Sequence, residues 1–177
     1  IVKYTGADAV RTVGHGLGVK PNIIIVKRLG STGTWQVYHS SLGATKYLEL
    51  NGTTAGTTSS ARWNDTEPTS SVFTLSTSAH VNESGDYIAY CFAEKTGYSK
   101  FGSYTGNGNV DGTFIYTGFK PAWFMVKRSS ASGNNWIMYD NKRDIDNVAH
   151  TRLHADLNNA EVNTSSDTVN NIDFLSN

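Results

Sequence analysis

Two carboxylates held about 5–10 Å apart on one strand face can hydrolyse a glycosidic bond. The chain offers three places to look for such a pair. Asp65 and Glu67 stand two residues apart, but Pro68 follows them in a polar loop. Glu83 and Asp86 flank Gly85 in a turn, and Glu94 closes an apolar stretch with no second acid near it in sequence. Each reads as a loop or strand-end acid, although strands far apart in sequence could still bring two together. The spacing of His150 and His154 suits two metal ligands on one helix face. Their segment, 146–157, is the single helical candidate; it is broken in register, rich in Asn and Asp, and lacks an accompanying Glu. Asp140, Asp144 and Asp146 could give oxygens to calcium, but the EF-hand pattern and its glycine are missing. They read as a solvated acidic loop after a strand. No nucleophile elbow, P-loop or dinucleotide fingerprint occurs, and Gly14-His15-Gly16-Leu17-Gly18 precedes a turn rather than a helix. The expectation is no enzyme activity, no metal and no cofactor.

Aromatic rings are the remaining binding chemistry, since exposed Trp and Tyr stack on sugars while Asn and Asp meet the hydroxyls. Trp63-Asn64-Asp65 lies in a Ser/Thr-rich stretch and is the candidate ligand-binding set. Trp35, Trp123 and Trp136 fall in apolar runs or recurring motifs and are assigned to the core. Cys91, the one cysteine, sits in Tyr90-Cys91-Phe92 and reads as a buried, inert thiol, so no intrachain disulfide can form.

The elements that must hold these residues are short. Of 177 residues, 38% are hydrophobic and 11% aromatic, enough for a packed core. Fifteen basic residues balance fifteen acidic ones, so the cationic footprint of a nucleic-acid binder is missing. No apolar run approaches the roughly 20 residues of a membrane-crossing helix. Neither nucleic acid nor a membrane is expected as a partner. Runs of β-branched and aromatic residues between Gly, Ser and Thr turns predict strands near 1–5, 11–15, 22–28, 34–39, 46–50, 71–76, 86–94, 98–105, 113–118, 122–128, 134–140 and 171–175. Along 86–94, Tyr87, Ala89, Cys91 and Ala93 face one way, and Ile88, Tyr90 and Phe92 face the other. The large set is expected to fill a core, and the small set to admit a second layer. Many short strands with Gly-rich turns predict an all-β fold, an antiparallel β-sandwich of jelly-roll or concanavalin-like type.

The chain also reads as built twice. Tyr4-Thr5-Gly6, Gly18-Val19-Lys20-Pro21 and Val26-Lys27-Arg28 recur 100 residues later as Tyr104-Thr105-Gly106, Gly118-Phe119-Lys120-Pro121 and Val126-Lys127-Arg128. One inserted residue further on, Trp35 and Tyr38 match Trp136 and Tyr139. One domain over 1–177 is expected, with copy one at 1–97 and an incomplete copy two at 98–177, joined without a linker. The second copy stops at Ile172-Asp173-Phe174-Leu175-Ser176-Asn177, before any counterpart of 86–94. The chain reads as a segment of something longer. The gap is expected to be filled by residues after Asn177, by a neighbouring subunit, or by the strand at 1–5.

Three longer stretches carry a family resemblance. They are Gly16-Leu17-Gly18-Val19-Lys20-Pro21, Asp86-Tyr87-Ile88-Ala89-Tyr90-Cys91-Phe92-Ala93-Glu94, and Phe101-Gly102-Ser103-Tyr104-Thr105-Gly106-Asn107-Gly108. With Pro68-Thr69-Ser70-Ser71-Val72-Phe73 and the final Ile172 to Asn177, the chain resembles an uncharacterised domain of tail-fibre and other virion proteins of bacteriophages, many of them marine. The resemblance implies a concanavalin-like sandwich in a particle appendage or surface. It carries over no catalytic residues. The expected function is a non-catalytic virion structural protein, partnered by other virion subunits or copies of itself, which binds a host-surface glycan. The alternative is a free-standing carbohydrate-binding or glycan-hydrolysing module.

Overall fold

The computed structural model describes residues 1–144, 146–165 and 172–176. The first half contributes β1 (Val2–Thr5), β2 (Arg11–Gly14), β3 (Ile23–Arg28), β4 (Gln36–His39), β5 (Lys46–Glu49), β6 (Thr57–Thr58), α1 (Ser60–Trp63), β7 (Val72–Leu75) and β8 (Asp86–Phe92). The second contributes β9 (Trp123–Val126), β10 (Ile137–Asp140), β11 (Thr151–His154) and β12 (Val162–Asn163). The strands form a six-stranded sheet in the order β1-β8-β3-β4-β5-β6, a four-stranded sheet in the order β12-β11-β10-β9, and a β2-β7 pair. Every pairing is antiparallel. The fold is an all-β sandwich, as the turn-punctuated strands predict.

Period-two alternation sends β3, β4 and β5 of the large sheet into two different cores. On one face Ile24, Val26, Tyr38, Tyr87, Ala89 and Cys91 meet Val13 of β2, Phe73 and Leu75 of β7, and Trp63 of α1. On the other, Val37, Leu48, Ile23 and Ile25 pack against Trp136, Met125 and Ala155 of the second sheet. A strand buried on both faces needs an unbroken apolar run, which is what Ile23-Ile24-Ile25-Val26 supplies. A third, smaller cluster gathers Tyr139, Ala149 and Phe174 with Phe124, Ile137 and Ile172.

The two sheets share an order and a register. Ile23 pairs with His39 and Val26 with Gln36; Trp123 pairs with Asp140 and Val126 with Ile137. Val37 pairs with Leu48, and Met138 with Leu153. Lys46 pairs with Thr58, and Thr151 with Asn163. The turn entering each set carries a left-handed glycine, Gly18 at φ 73° and Gly118 at φ 83°, a conformation that a side chain would strain.

Several expectations need correction. Residues 98–105 and 113–118 form no strands; apart from a Lys95–Ser99 bridge, 93–122 is irregular and mostly exposed. In the first half β1 pairs only with β8 and β2 only with β7. The corresponding residues of the second half meet no such partner among the described residues, so an extended ladder has nothing to bond to. A long irregular stretch therefore separates β8 from β9, in place of the direct join expected between the two copies. The stretch expected at 171–175 reduces to a bridge between Ile172 and Ala149, with residue 171 outside the described residues. Segment 146–157 holds β11 instead of helical character, and α1, β6 and β12 were too short to leave a pattern.

Three core assignments also change. Trp123 is 54% exposed because β9 ends its sheet. Trp35 is half-buried, lying on Tyr90 with ring centroids 6.3 Å apart, whereas Trp136 is buried at 5% exposure between the sheets. The two Trp residues therefore do not share one environment. On β8 the alternation is as expected but the roles reverse: Tyr87, Ala89 and Cys91 join the main core, and Phe92 is 45% exposed. Tyr87 supplies the bulk there, stacked on Tyr4 at 5.2 Å.

Candidate functional site

Trp63, Asn64 and Asp65 occupy one corner, but they do not form a sugar platform. Ser59 caps α1, its hydroxyl accepting from the Ala61 N–H at 3.3 Å. The single turn ends at Asn64 and Asp65, both left-handed at φ 52° and 48°. Asn and Asp tolerate this conformation better than most residues. The reversal leaves both on the surface while Trp63 turns inward to 2% exposure, edge-on to Tyr38 at 6.1 Å. The expected surface ring is a core residue. A Ser/Thr-rich neighbourhood suggests exposure, and the one-turn helix that overrides it is invisible to periodicity.

The acids are engaged in bracing the fold. Glu67 accepts from the Tyr38 hydroxyl at 2.6 Å, Lys20 Nζ at 2.8 Å and the Ala44 N–H at 2.7 Å. Burial works to raise its pKa, but these hydrogen bonds and the Lys20 charge outweigh it and hold the carboxylate below its usual range. Burial and the Glu67 bond push the Tyr38 hydroxyl well above its ordinary value. Glu83 pairs with Arg28, Asp86 with Lys3 at 2.7 Å, and Glu94 with Lys100 at 3.3 Å. Asp65 faces solvent while Glu67 faces Lys20 and Tyr38, so the first pair is not convergent.

In the second half, Asp140 accepts from the Lys142 and Arg143 N–H groups and from Arg143 Nε. Asp144 accepts from the N–H groups of His150 and Thr151 and from the Thr151 hydroxyl. A cleft of about 160 Å³ beside them is lined by Lys120, Asn141, Asp144, Asp146 and Asn147. Among the described residues no His, Cys, Asp and Glu group of three could hold a metal. His154 ends β11 and His150 immediately precedes it, about 13 Å apart along an extended chain, too far to share an ion. The buried Cys91 thiol is pushed up to about 11 by burial, which leaves it protonated and unreactive.

Two surfaces remain. A shallow depression of about 710 Å³ is lined by Lys27, Ser31, Thr32, Thr34, Asn51 and His80 among others. Desolvation, with help from Arg62, lowers the His80 pKa, favouring its neutral ring. The second surface is the irregular stretch and the strand after it, which expose Tyr98, Tyr104, Phe114, Tyr116 and Trp123. Sequence reasoning placed these rings in strands or core. The signal that could have found them was the missing partner strand, not the residues themselves.

These features define an all-β domain of a six-stranded sheet, a four-stranded sheet and a two-stranded pair, with an exposed aromatic flank and with Glu67, Glu83, Asp86, Glu94, Asp140 and Asp144 tied up in structure. Over residues 1–177 the chain matches the model of a domain of unknown function, DUF7483, and belongs to that family. No curated protein and no solved structure matches it.

Proposed function

We propose that this chain is a non-catalytic structural module of a bacteriophage particle, a tail-fibre or surface domain that works by packing against other virion subunits or copies of itself. The observation that carries the non-catalytic part is the fate of the surveyed acids. Among the described residues Glu67, Glu83, Asp86, Asp140 and Asp144 each hold a cation, a backbone amide or both, so none of these five stands free to protonate and attack as half of an opposed pair. The packing part draws on the aromatic flank, since exposed rings that converge on one stretch favour association. The matching registers of β3–β6 and β9–β12 support reading the chain as a duplicated unit, as appendage modules built by repetition would be. The virion setting comes from the resemblance of the long motifs. Host-glycan binding would fall to Asn64, Asp65 and the exposed tyrosines, with Trp63 acting from beneath as a support.

A reducing-sugar assay on a polysaccharide panel, run beside a glycan array and sedimentation, tests this reading. The expected result is no turnover, with self-association that weakens when Phe114 and Tyr116 become Ser. Turnover abolished by Glu67→Gln or Glu94→Gln would overturn it in favour of a glycan-hydrolysing module.

A further inference from the structure

Strand β9 is hydrogen-bonded along one edge to β10, and no other strand pairs with it among the described residues. Its counterpart β3 is flanked on both edges, by β4 and by β8. An open strand edge presents unpaired N–H and C=O groups and accepts another strand readily. We propose that the outer edge of β9 is an acceptor for one incoming antiparallel strand with the residue pattern of β8, supplied by a neighbouring virion subunit other than a second copy of this chain.

The occupant is specified by the first half. There Ile23, Ile24, Ile25 and Val26 stand opposite Phe92, Cys91, Tyr90 and Ala89. Carried across 100 residues, the incoming strand sets small side chains opposite Phe124 and Val126 and large ones opposite Trp123 and Met125. Phe124 replaces Ile24 in the smaller core, so a small neighbour is needed where Cys91 stands in the first half. Charge agrees with this placement. Arg28 holds Glu83 and donates to the Ser84 carbonyl at 2.8 Å, just ahead of β8. Arg128 is exposed and among the described residues reaches the Ser130 hydroxyl alone, at 3.4 Å, so it can take an acid three residues before the incoming strand. A second feature agrees independently. Val2 to Thr5 of β1 pair solely with β8 residues Asp86 to Ala89. Tyr104 and Thr105, which correspond to Tyr4 and Thr5, lie exposed, and no strand among the described residues pairs with them. The arriving strand would give them the ladder that β8 gives β1.

The proposal deepens the assembly reading and rests on it for the setting of the donor, whereas the edge and its register rest on geometry. The probe is a synthetic peptide of residues 83–94 carrying Cys91→Ala, added to the full chain and followed by amide hydrogen exchange. Exchange at 123–126 and at 103–105 should slow by roughly tenfold or more at saturating peptide, with β4 unchanged. Arg128→Glu should weaken binding by roughly fivefold, and a peptide with Glu83→Lys should restore it. Equal protection by a scrambled peptide, or none at millimolar peptide, would overturn the proposal. So would β9 amides protected without peptide in a dimer, because a second copy would then be the occupant. Polysaccharide turnover would defeat the non-catalytic reading while leaving the exchange result standing, so the two failures are distinguishable.

Discussion

Strands β3 to β6 and strands β9 to β12 are paired in the same order and register, yet they sit in different surroundings. The first set is covered on one face by β2, β7 and α1, which with β1 and β8 close a cluster of thirteen buried residues. The second set has three buried residues in its own cluster, Tyr139, Ala149 and Phe174. Tyr139 and Tyr38 match, as do Ala149 and Ala44, and each cluster adds a phenylalanine of its own, Phe73 in the first and Phe174 in the second, so the seeds of both cores are alike. What differs is the layer that excludes water. Ladder hydrogen bonds fix a register, but burial of apolar area supplies the driving force, and burial needs a second layer. The second sheet gets its best burial from the first sheet instead, through Trp136.

The largest expected effect comes from cutting both seeds. Phe73→Ala should destabilise the chain by about 3–5 kcal/mol, the range for a fully enclosed aromatic residue. Phe174→Ala should cost less, about 1–3 kcal/mol, because the smaller cluster can collapse around the gap. Urea denaturation of both variants measures the difference. Equal losses would mean that the second cluster is enclosed as fully as the first, and the contrast would fail.

Trp136 tests whether the second sheet depends on the first. Its ring lies against Val37 and Leu48, and its Nε1–H donates to the Glu49 carbonyl at 2.8 Å. Trp136→Ala should cost about 3 kcal/mol and remove the shorter of that carbonyl's two donors, leaving the Gly52 N–H at 3.3 Å. Amide exchange in β10 and β11 should quicken well before that in β3 and β8. Uniform acceleration throughout would show one cooperative unit rather than a sheet leaning on another.

Much of this contrast could be read from the residues. The apolar run Ile23 to Val26, the alternation in 86–94, the turn glycines at 18 and 118, and the recurrence of Trp-x-x-Tyr all located strands correctly. The errors share a cause. Residues 98–105 and 113–118 have strand-like composition, and strand composition is realised only when another strand supplies the ladder. Trp123 looked like core because its motif partner Ile23 is inside, yet an edge position exposes it. Trp63 looked like a ligand-binding ring because its neighbours are polar. One capped turn of four residues, with two left-handed residues behind it, decides its direction. Glu67 and Glu83 were read rightly as loop residues, whereas Asp86 begins β8, and the partners of all three lie far away in sequence, as with Glu67 and Tyr38, which no spacing shows.

A smaller effect should come from the turn that launches β8, a strand with no counterpart among the described residues of the second half. Buried Asn82 donates from Nδ2 to the Ala9 carbonyl at 2.6 Å and the Ser76 carbonyl at 2.8 Å, and its Oδ1 accepts from the Ala7 N–H. Asn82→Ala strands two acceptors and should cost about 2 kcal/mol. Exchange should rise in β1 and β8 and stay unchanged in β10 and β11. A rise in the second sheet would tie the two halves more closely than their separate clusters imply.

The smallest effect distinguishes how each half pins the loop before its third strand. In the first, Glu67 reaches across the chain to the Ala44 N–H; in the second, Asp144 holds the His150 and Thr151 N–H groups from a few residues away. Burial opposes ionisation at both, and hydrogen bonds overcome it, so both carboxylates titrate below their ordinary values. A depressed folded pKa gives stability that is present above the unfolded value, near 4, and is lost as pH falls through the folded one. Both groups are partly exposed, which limits each contribution to about 1 kcal/mol or less. Urea midpoints taken from pH 6 down to pH 3 should fall for the unaltered chain, and less steeply for Glu67→Gln and for Asp144→Asn. Glu67→Gln should loosen contacts between the loop at 43–45 and the corner at 64–67, because its bond spans elements. Asp144→Asn should disturb only its own loop, because its bonds are local. If Asp144→Asn instead flattened the pH response of the whole chain, the second sheet would be bound into the main core more firmly than its three buried residues suggest.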